Sequence, residues 1–297
     1  MTLLVAVGII GYVASASSPS QPVRVGVLSG HNPSKFSNTT CTTGDSQAQA
    51  GCNLAVFEAA VATAAQHGVE IMVMPEAYSL GHLGPKTVFE PIATTMTVPC
   101  SDSTAGQVQR ALSCMAAKNG VAVAANIFGC RSSTTCSKTQ RRLTEVVFDK
   151  SGALLVSYDK HHLFVNEMLF VTAGPFAPAT FELMGRVWGI LICYEGVWPV
   201  IGPGGNWSQS DDIILRQNAT ELIWSIGSAI PTQIGGDIYT KRYGSLRSVL
   251  AAEDSSTGAI TCAEHGCNAA RQKDFSVHVP AYLGYQPRLA VRTNTLL

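Results

Sequence analysis

Three apolar segments that each run straight into a reactive side chain constrain this chain more than any other feature. Ile71-Met72-Val73-Met74 leads into Pro75-Glu76, Leu154-Leu155-Val156-Ser157-Tyr158 into Asp159-Lys160, and Gly189-Ile190-Leu191-Ile192 into Cys193-Tyr194-Glu195. Short apolar runs of this kind read as buried strands. Further strands are expected at 23–28, 121–125, 187–192 and 221–225, and helices at 54–66 and 105–118. Residues 143–149 and 153–158, separated by Lys150-Ser151-Gly152, read as a hairpin. The stretch 239–250 reads as a helix followed by a strand. Strands mixed with helices, some joined by hairpins, predict an α/β or α+β layered domain.

Composition supports a packed core. Hydrophobic residues make up 46% of the 297, and charged residues only 13%, against roughly 25% charged in an average soluble domain. A disordered chain needs the opposite balance. Twenty basic and twenty acidic residues cancel to a net charge of +0. With no basic stripe or arm, nothing points to a nucleic-acid partner.

The N-terminus bears on compartment. Residues 3–14 form a weakly polar to apolar run followed by Ala14-Ser15-Ala16, the pattern of a secretory signal with a small-x-small cleavage site; residues 1–16 are expected to be that signal. A run of this length is short of the roughly 20 residues that a membrane span needs, so stable membrane insertion is not expected. Eight of nine cysteines fall in local couples: Cys41 with Cys52, Cys100 with Cys114, Cys130 with Cys136, and Cys262 with Cys267. In an oxidising compartment these can pair, although connectivity does not follow from sequence. Cys193 is the odd thiol. Sequons at Asn38, Asn206 and Asn218 also fit export. The expected location is extracellular.

Taken singly, the three strand ends have bland explanations. A strand-end Glu or Lys is usually solvated, and a buried Cys usually behaves as a small hydrophobe. Together they make a chemical set, because ligand sites gather at the carboxyl ends of strands in α/β sheets. A thiol becomes a good nucleophile beside a base or a cation. Glu76 can take its proton, and Lys160 can stabilise both the thiolate and a tetrahedral oxyanion. Such a set suits attack on an amide carbon.

The segments Met74-Pro75-Glu76-Ala77, Tyr158-Asp159-Lys160-His161-His162-Leu163-Phe164 and Gly189-Ile190-Leu191-Ile192-Cys193-Tyr194-Glu195 resemble the nitrilase, or carbon–nitrogen hydrolase, superfamily. Their order and spacing match its Glu-Lys-Cys triad. Val123-Ala124-Ala125-Asn126-Ile127, Val146-Val147-Phe148-Asp149-Lys150-Ser151-Gly152 and the couples Cys100/Cys114 and Cys130/Cys136 resemble its biotinidase and vanin (pantetheinase) branch. The resemblance covers roughly 23–260 and implies a single catalytic domain with a four-layer α-β-β-α sandwich. It leaves 261–297 as an extension of uncertain role. It implies Glu76 as base, Lys160 as oxyanion stabiliser, Cys193 as nucleophile, and Glu167 as the second glutamate that orients the lysine. No metal or organic cofactor is implied, the partner is a small-molecule amide, and homo-oligomerisation is left open.

The chain also departs from that branch. Ile223-Trp224-Ser225-Ile226-Gly227 replaces its Pro-Thr-Ala-Trp pattern, and Glu253-Asp254 stands where an Asn is usual. The branch's large C-terminal domain has no counterpart, which fits either a reduced relative or a fragment. Other readings are a papain-like pairing of Cys193 with His161, His162 or His278, and a metal site at Cys262-Ala263-Glu264-His265-Gly266-Cys267, which lacks standard zinc spacing. A binding protein with a decayed site and an acyltransferase using the same thioester complete the alternatives. Tyr78, Phe164, Phe170, Tyr194 and Trp198 line either a pocket or ordinary core.

Overall fold

Parallel strands with apolar side chains on both faces need cover on both, and the chain supplies it in layers. The computed structural model describes residues 23–29, 46–77, 80, 81, 83–132, 135–226, 239, 242, 243, 248–253, 261–262, 275–278 and 288–293. The first sheet contains β1 (Arg24–Ser29), β2 (Ile71–Val73), β3 (Glu90–Pro91), β4 (Ala122–Cys130), β5 (Arg141–Phe148) and β6 (Leu154–Asp159). The second contains β7 (Thr180–Leu183), β8 (Arg186–Ile192), β9 (Glu221–Ile226), β10 (Ser248–Glu253) and β11 (Thr261–Cys262). Strands β12 (Phe275–His278) and β13 (Arg288–Thr293) return to the first sheet.

The first sheet runs β12-β13-β1-β2-β4-β5-β6, with β3 added against β4, and the second runs β11-β10-β9-β8-β7. Strands β1, β2 and β4 are mutually parallel, as are β8, β9 and β10. The two-residue side-chain period of a strand then sorts the residues by face. Val25, Val27, Ile71, Val73, Ala122 and Ala124 meet Trp188, Ile190, Ile192, Leu222 and Trp224 of the second sheet. Their alternates Leu28, Met72, Val123 and Ala125 pack under Leu54, Phe57, Val61, Leu112 and Met115. Those last residues belong to α1 (Ser46–Gln66) and α2 (Gln107–Asn119), which form the outer layer on the first sheet.

Helix α1 begins earlier than the 54–66 expected, and β4 runs five residues beyond 125. The hairpin of β5 and β6 is antiparallel. Its turn is held by Asp149 Oδ1, which accepts from the backbone N–H of Ser151 and Ala153 at 2.8 and 2.9 Å. Gly152 supplies the left-handed φ of 83° that closes it. Residues after 260 enter both sheets: β11 extends the second, and β13 pairs antiparallel with β1 along its whole length.

Disulfides join Cys100 to Cys114 and Cys130 to Cys136. The couples Cys41/Cys52 and Cys262/Cys267 each include a residue outside the described ones, as do the 3–14 run, Asn38 and most of 239–250. Among the described residues no helix is long and apolar enough to cross a membrane.

Candidate active site

The three reactive strand ends lie on two different sheets, and the facing of those sheets brings them together. Lys160 follows β6, where Asp159 is clamped: its carboxylate accepts two hydrogen bonds of 2.7 Å from the Arg131 guanidinium and a third, also 2.7 Å, from Thr144. The Lys160 N–H donates to Leu143 and its carbonyl accepts from Gly174, each at 2.8 Å. With its backbone so held, Lys160 extends inward, and its Nζ lies 2.6 Å from Glu76 Oε1 and 2.7 Å from Glu167 Oε1. Glu167 opens a single helical turn, Glu167–Leu169, and its other oxygen accepts the Phe164 N–H at 2.8 Å. Glu76 follows β2, and the next residue's N–H donates to Asn126 Oδ1 on β4 at 3.1 Å.

None of these charged groups meets solvent: Lys160 is 0% exposed, Glu76 1% and Glu167 2%. Burial favours the neutral form of a carboxyl and is the largest influence on Glu76. Lys160 opposes it and Glu167 reinforces it, so that Glu76 is raised to about 7. Burial pulls the Lys160 ammonium down, but Glu76, Glu167 and Cys193 outweigh it and hold the lysine well above its ordinary value. The result is a fixed cation beside a carboxyl that titrates near neutrality.

Cys193 sits where β8 ends and keeps its thiol. Its φ of 44° is unusual for a non-glycine residue. Such a conformation costs on the order of 1–3 kcal/mol and persists only where the surroundings enforce it. Two contacts do so here. Trp224 Nε1, on β9, donates to the Cys193 carbonyl at 2.8 Å, and Glu195 Oε2 accepts the Ile192 N–H at 3.0 Å. Gly196 leaves room for the indole, since a Cβ there would overlap the Trp224 ring. The elbow keeps the sulfur buried and close enough to Glu76 and Lys160 to influence the charge state of both.

Glu195 has no role in the sequence reading, yet it ties the two halves of the site. Its Oε1 accepts from the Tyr158 hydroxyl and the His161 N–H, both at 2.7 Å, and from the His162 N–H at 3.3 Å. A buried carboxylate thus fastens the cysteine elbow to the lysine segment. The available signal was its place two residues after a strand-end cysteine. His161 and His162 direct Nδ1 to the Gly174 carbonyl and to Gln209 Oε1, at 2.8 and 2.9 Å. His162 stacks on Trp198 at 4.3 Å, and Tyr194 contacts both Trp198 and Phe164 edge-on. Phe164, Val165, Met168 and Leu169 are exposed around Glu167. Tyr78 and the metal-type segment 263–267 lie outside the described residues.

Two facing sheets, helices outside them and a buried Glu-Lys-Glu-Cys cluster between them define the scaffold of a carbon–nitrogen bond hydrolase. Residues 40–202 match the family model described as carbon-nitrogen hydrolase. That is more than half of the chain, which therefore belongs to this family. Among curated proteins, the pantetheinase of Canis lupus familiaris is 31% identical over 159 residues, 48% of this chain and 31% of that protein. The biotinidase of Mus musculus is 32% identical over 160 residues, 48% of this chain and 31% of that protein. The matched stretch thus spans less than a third of those relatives' length.

Among solved structures, an amidase from Nesterenkonia sp. superposes with a TM-score of 0.61 at 16% identity, covering 93% of this chain and 91% of that one. A mutant of the same amidase, bearing the acetamide moiety of fluoroacetamide at its active site cysteine, gives 0.62 at 17% identity over 93% and 92%. At that identity the likeness speaks to the fold, the α-β-β-α sandwich.

Proposed function

We propose that this chain is a secreted amidase that hydrolyses a linear, non-peptide C–N bond through a thioester on Cys193. The observation that carries the reading is the Lys160 ammonium held by two buried carboxylates beside the Cys193 thiol. Glu76 takes the thiol proton as sulfur attacks the amide carbon. Lys160 stabilises the developing oxyanion, a positioned charge that needs no reorganisation at the moment of reaction. When the C–N bond breaks, Glu76 returns the proton to the leaving amine. Glu76 then removes a proton from water as it attacks the thioester carbon, the C–S bond breaks to release the acid, and Glu76 returns the proton to the Cys193 sulfur. Glu167 holds Lys160 in place throughout. A group raised to about 7 suits a residue that must both take and give a proton near neutrality.

Because pantetheinase and biotinidase are among the relatives, the substrate class proposed is a small amide of a vitamin derivative. Export is supported by the leader-like run, by the disulfides Cys100–Cys114 and Cys130–Cys136, and by the exposure of Asn206 and Asn218. The deciding experiment is an amine-release assay over pantetheine, biocytin, simple aliphatic amides and nitriles. Release from pantetheine or biocytin above the aliphatic amides supports the reading, and activity on none of them removes it.

A further inference from the structure

Behind Glu76 lies a second carboxyl that the reaction above does not use. Glu145 sits in the middle of β5 and is 0% exposed. Its Oε1 is 2.9 Å from Ser225 Oγ on β9, and the same Oγ is 2.9 Å from the Met74 carbonyl. The contact therefore crosses from one sheet to the other and back, ending two residues before Glu76. Ser225 owns one proton. The Met74 carbonyl can only accept, so both contacts are hydrogen bonds only if Glu145 carries a proton on Oε1 and donates it to Ser225. The second oxygen, Oε2, is buried without a hydrogen-bond partner, as is Nδ2 of Asn126, the cross-strand neighbour of Glu145. An ionised carboxylate with an unpartnered buried oxygen would carry a heavy desolvation cost.

We propose that Glu145 is a positioning residue: a neutral carboxylic acid that donates to Ser225 and, through it, anchors the Met74 carbonyl and the backbone from which Glu76 projects. This rests on the catalytic reading of Glu76. The groups facing Glu145 agree with a neutral acid. They are Glu76 after β2, Asn126 on β4, Tyr158 opposite on β6, Glu195 after β8 and Ser225 on β9. None of these is a cation. Burial pushes Glu145 up to about 8, against the opposing influence of Ser225 and Asn126, with Glu76 and Glu195 adding smaller upward contributions. Ionising it breaks the bridge and sets a negative charge behind the base, so activity should fall as pH rises through about 8.

The test compares Glu145→Gln, Glu145→Ala and the parent, all as full chains. An amide nitrogen in place of the acidic O–H can still donate to Ser225, so E145Q should retain the parent's kcat while its alkaline limb moves to higher pH. E145A should lose up to about 10²-fold in kcat/KM, the scale of a misplaced catalytic group. A readout independent of turnover is thermal stability. Glu145's proton affinity is raised by folding, so its stabilising contribution is complete below about 4.5 and is lost as pH rises to about 8. The Tm of E145Q relative to the parent should therefore be higher at about pH 8 than at about pH 5. The parent minus E145Q infrared difference spectrum should contain a protonated-carboxyl band. A pH-independent Tm difference, the absence of that band, or an E145Q as impaired as E145A overturns the proposal. The Tm and infrared results stand even if no amide is turned over, which separates this failure from that of the amidase reading.

Discussion

Lys160 and Glu76 meet at 2.6 Å with essentially no solvent contact, although 84 residues separate them in sequence. Removing one partner of a buried ion pair leaves an uncompensated charge and typically costs 3–5 kcal/mol. Lys160→Met keeps the bulk of the stem but strands Glu76 and Glu167. It should lose about 3–5 kcal/mol at neutral pH. The deficit should shrink as pH falls and Glu76 takes up a proton. Urea unfolding across pH checks this. Loss of the proposed oxyanion stabiliser should also lower kcat by on the order of 10²-fold or more.

The raised Glu76 fixes a pH limb. The proposed base must be ionised in the free enzyme, so kcat/KM should rise with pH through about 7. Stability runs the opposite way for this group. Its contribution is complete below the ordinary 4.5 and is lost as pH climbs to about 7. A pH–rate profile with an acid limb near 4.5 would contradict the assignment.

Trp224 is expected to matter through one atom. Its Nε1 donates to the Cys193 carbonyl inside the core. Trp224→Phe removes that donor and leaves a buried carbonyl unsatisfied, at a cost of about 1–3 kcal/mol. Because the bond supports the strained cysteine elbow, kcat should fall more than KM rises. Steady-state kinetics beside a denaturation curve separates the two effects.

The bridge between Cys100 and Cys114 ties the middle of α2 to the turn Pro99–Ser101 before it, across a sequence separation of 14. A loop of about this size is worth roughly 3 kcal/mol when closed. Replacing both cysteines with serine should lower stability by about 2–3 kcal/mol and leave kcat unchanged, since neither residue touches the cluster.

The strand ends were readable because Glu76 and Cys193 each follow an apolar run and Lys160 a largely apolar one, and only a polar residue with a partner survives there. Glu195 was less visible, since two residues past a strand end looks like surface until the His161 and His162 N–H groups are seen pointing at it. Glu145 had a signal that periodicity alone missed. A charge inside Leu143-Thr144-Glu145-Val146-Val147-Phe148 has nowhere to go but inward, because both faces of that strand are covered. The left-handed Cys193 was invisible, since cysteine carries no preference for that conformation and the neighbours impose it. The pairing of β13 with β1 joins the two ends of the chain and leaves no local pattern to read.

The most direct measurement is peptide mass mapping after rapid acid quench of the enzyme during turnover of a pantetheine-type amide. The account predicts the mass of the acyl group on the Cys193 peptide, released by hydroxylamine, with neither adduct nor turnover in a folded Cys193→Ala variant. An acyl group on any other residue, or continued turnover by that variant, would contradict it.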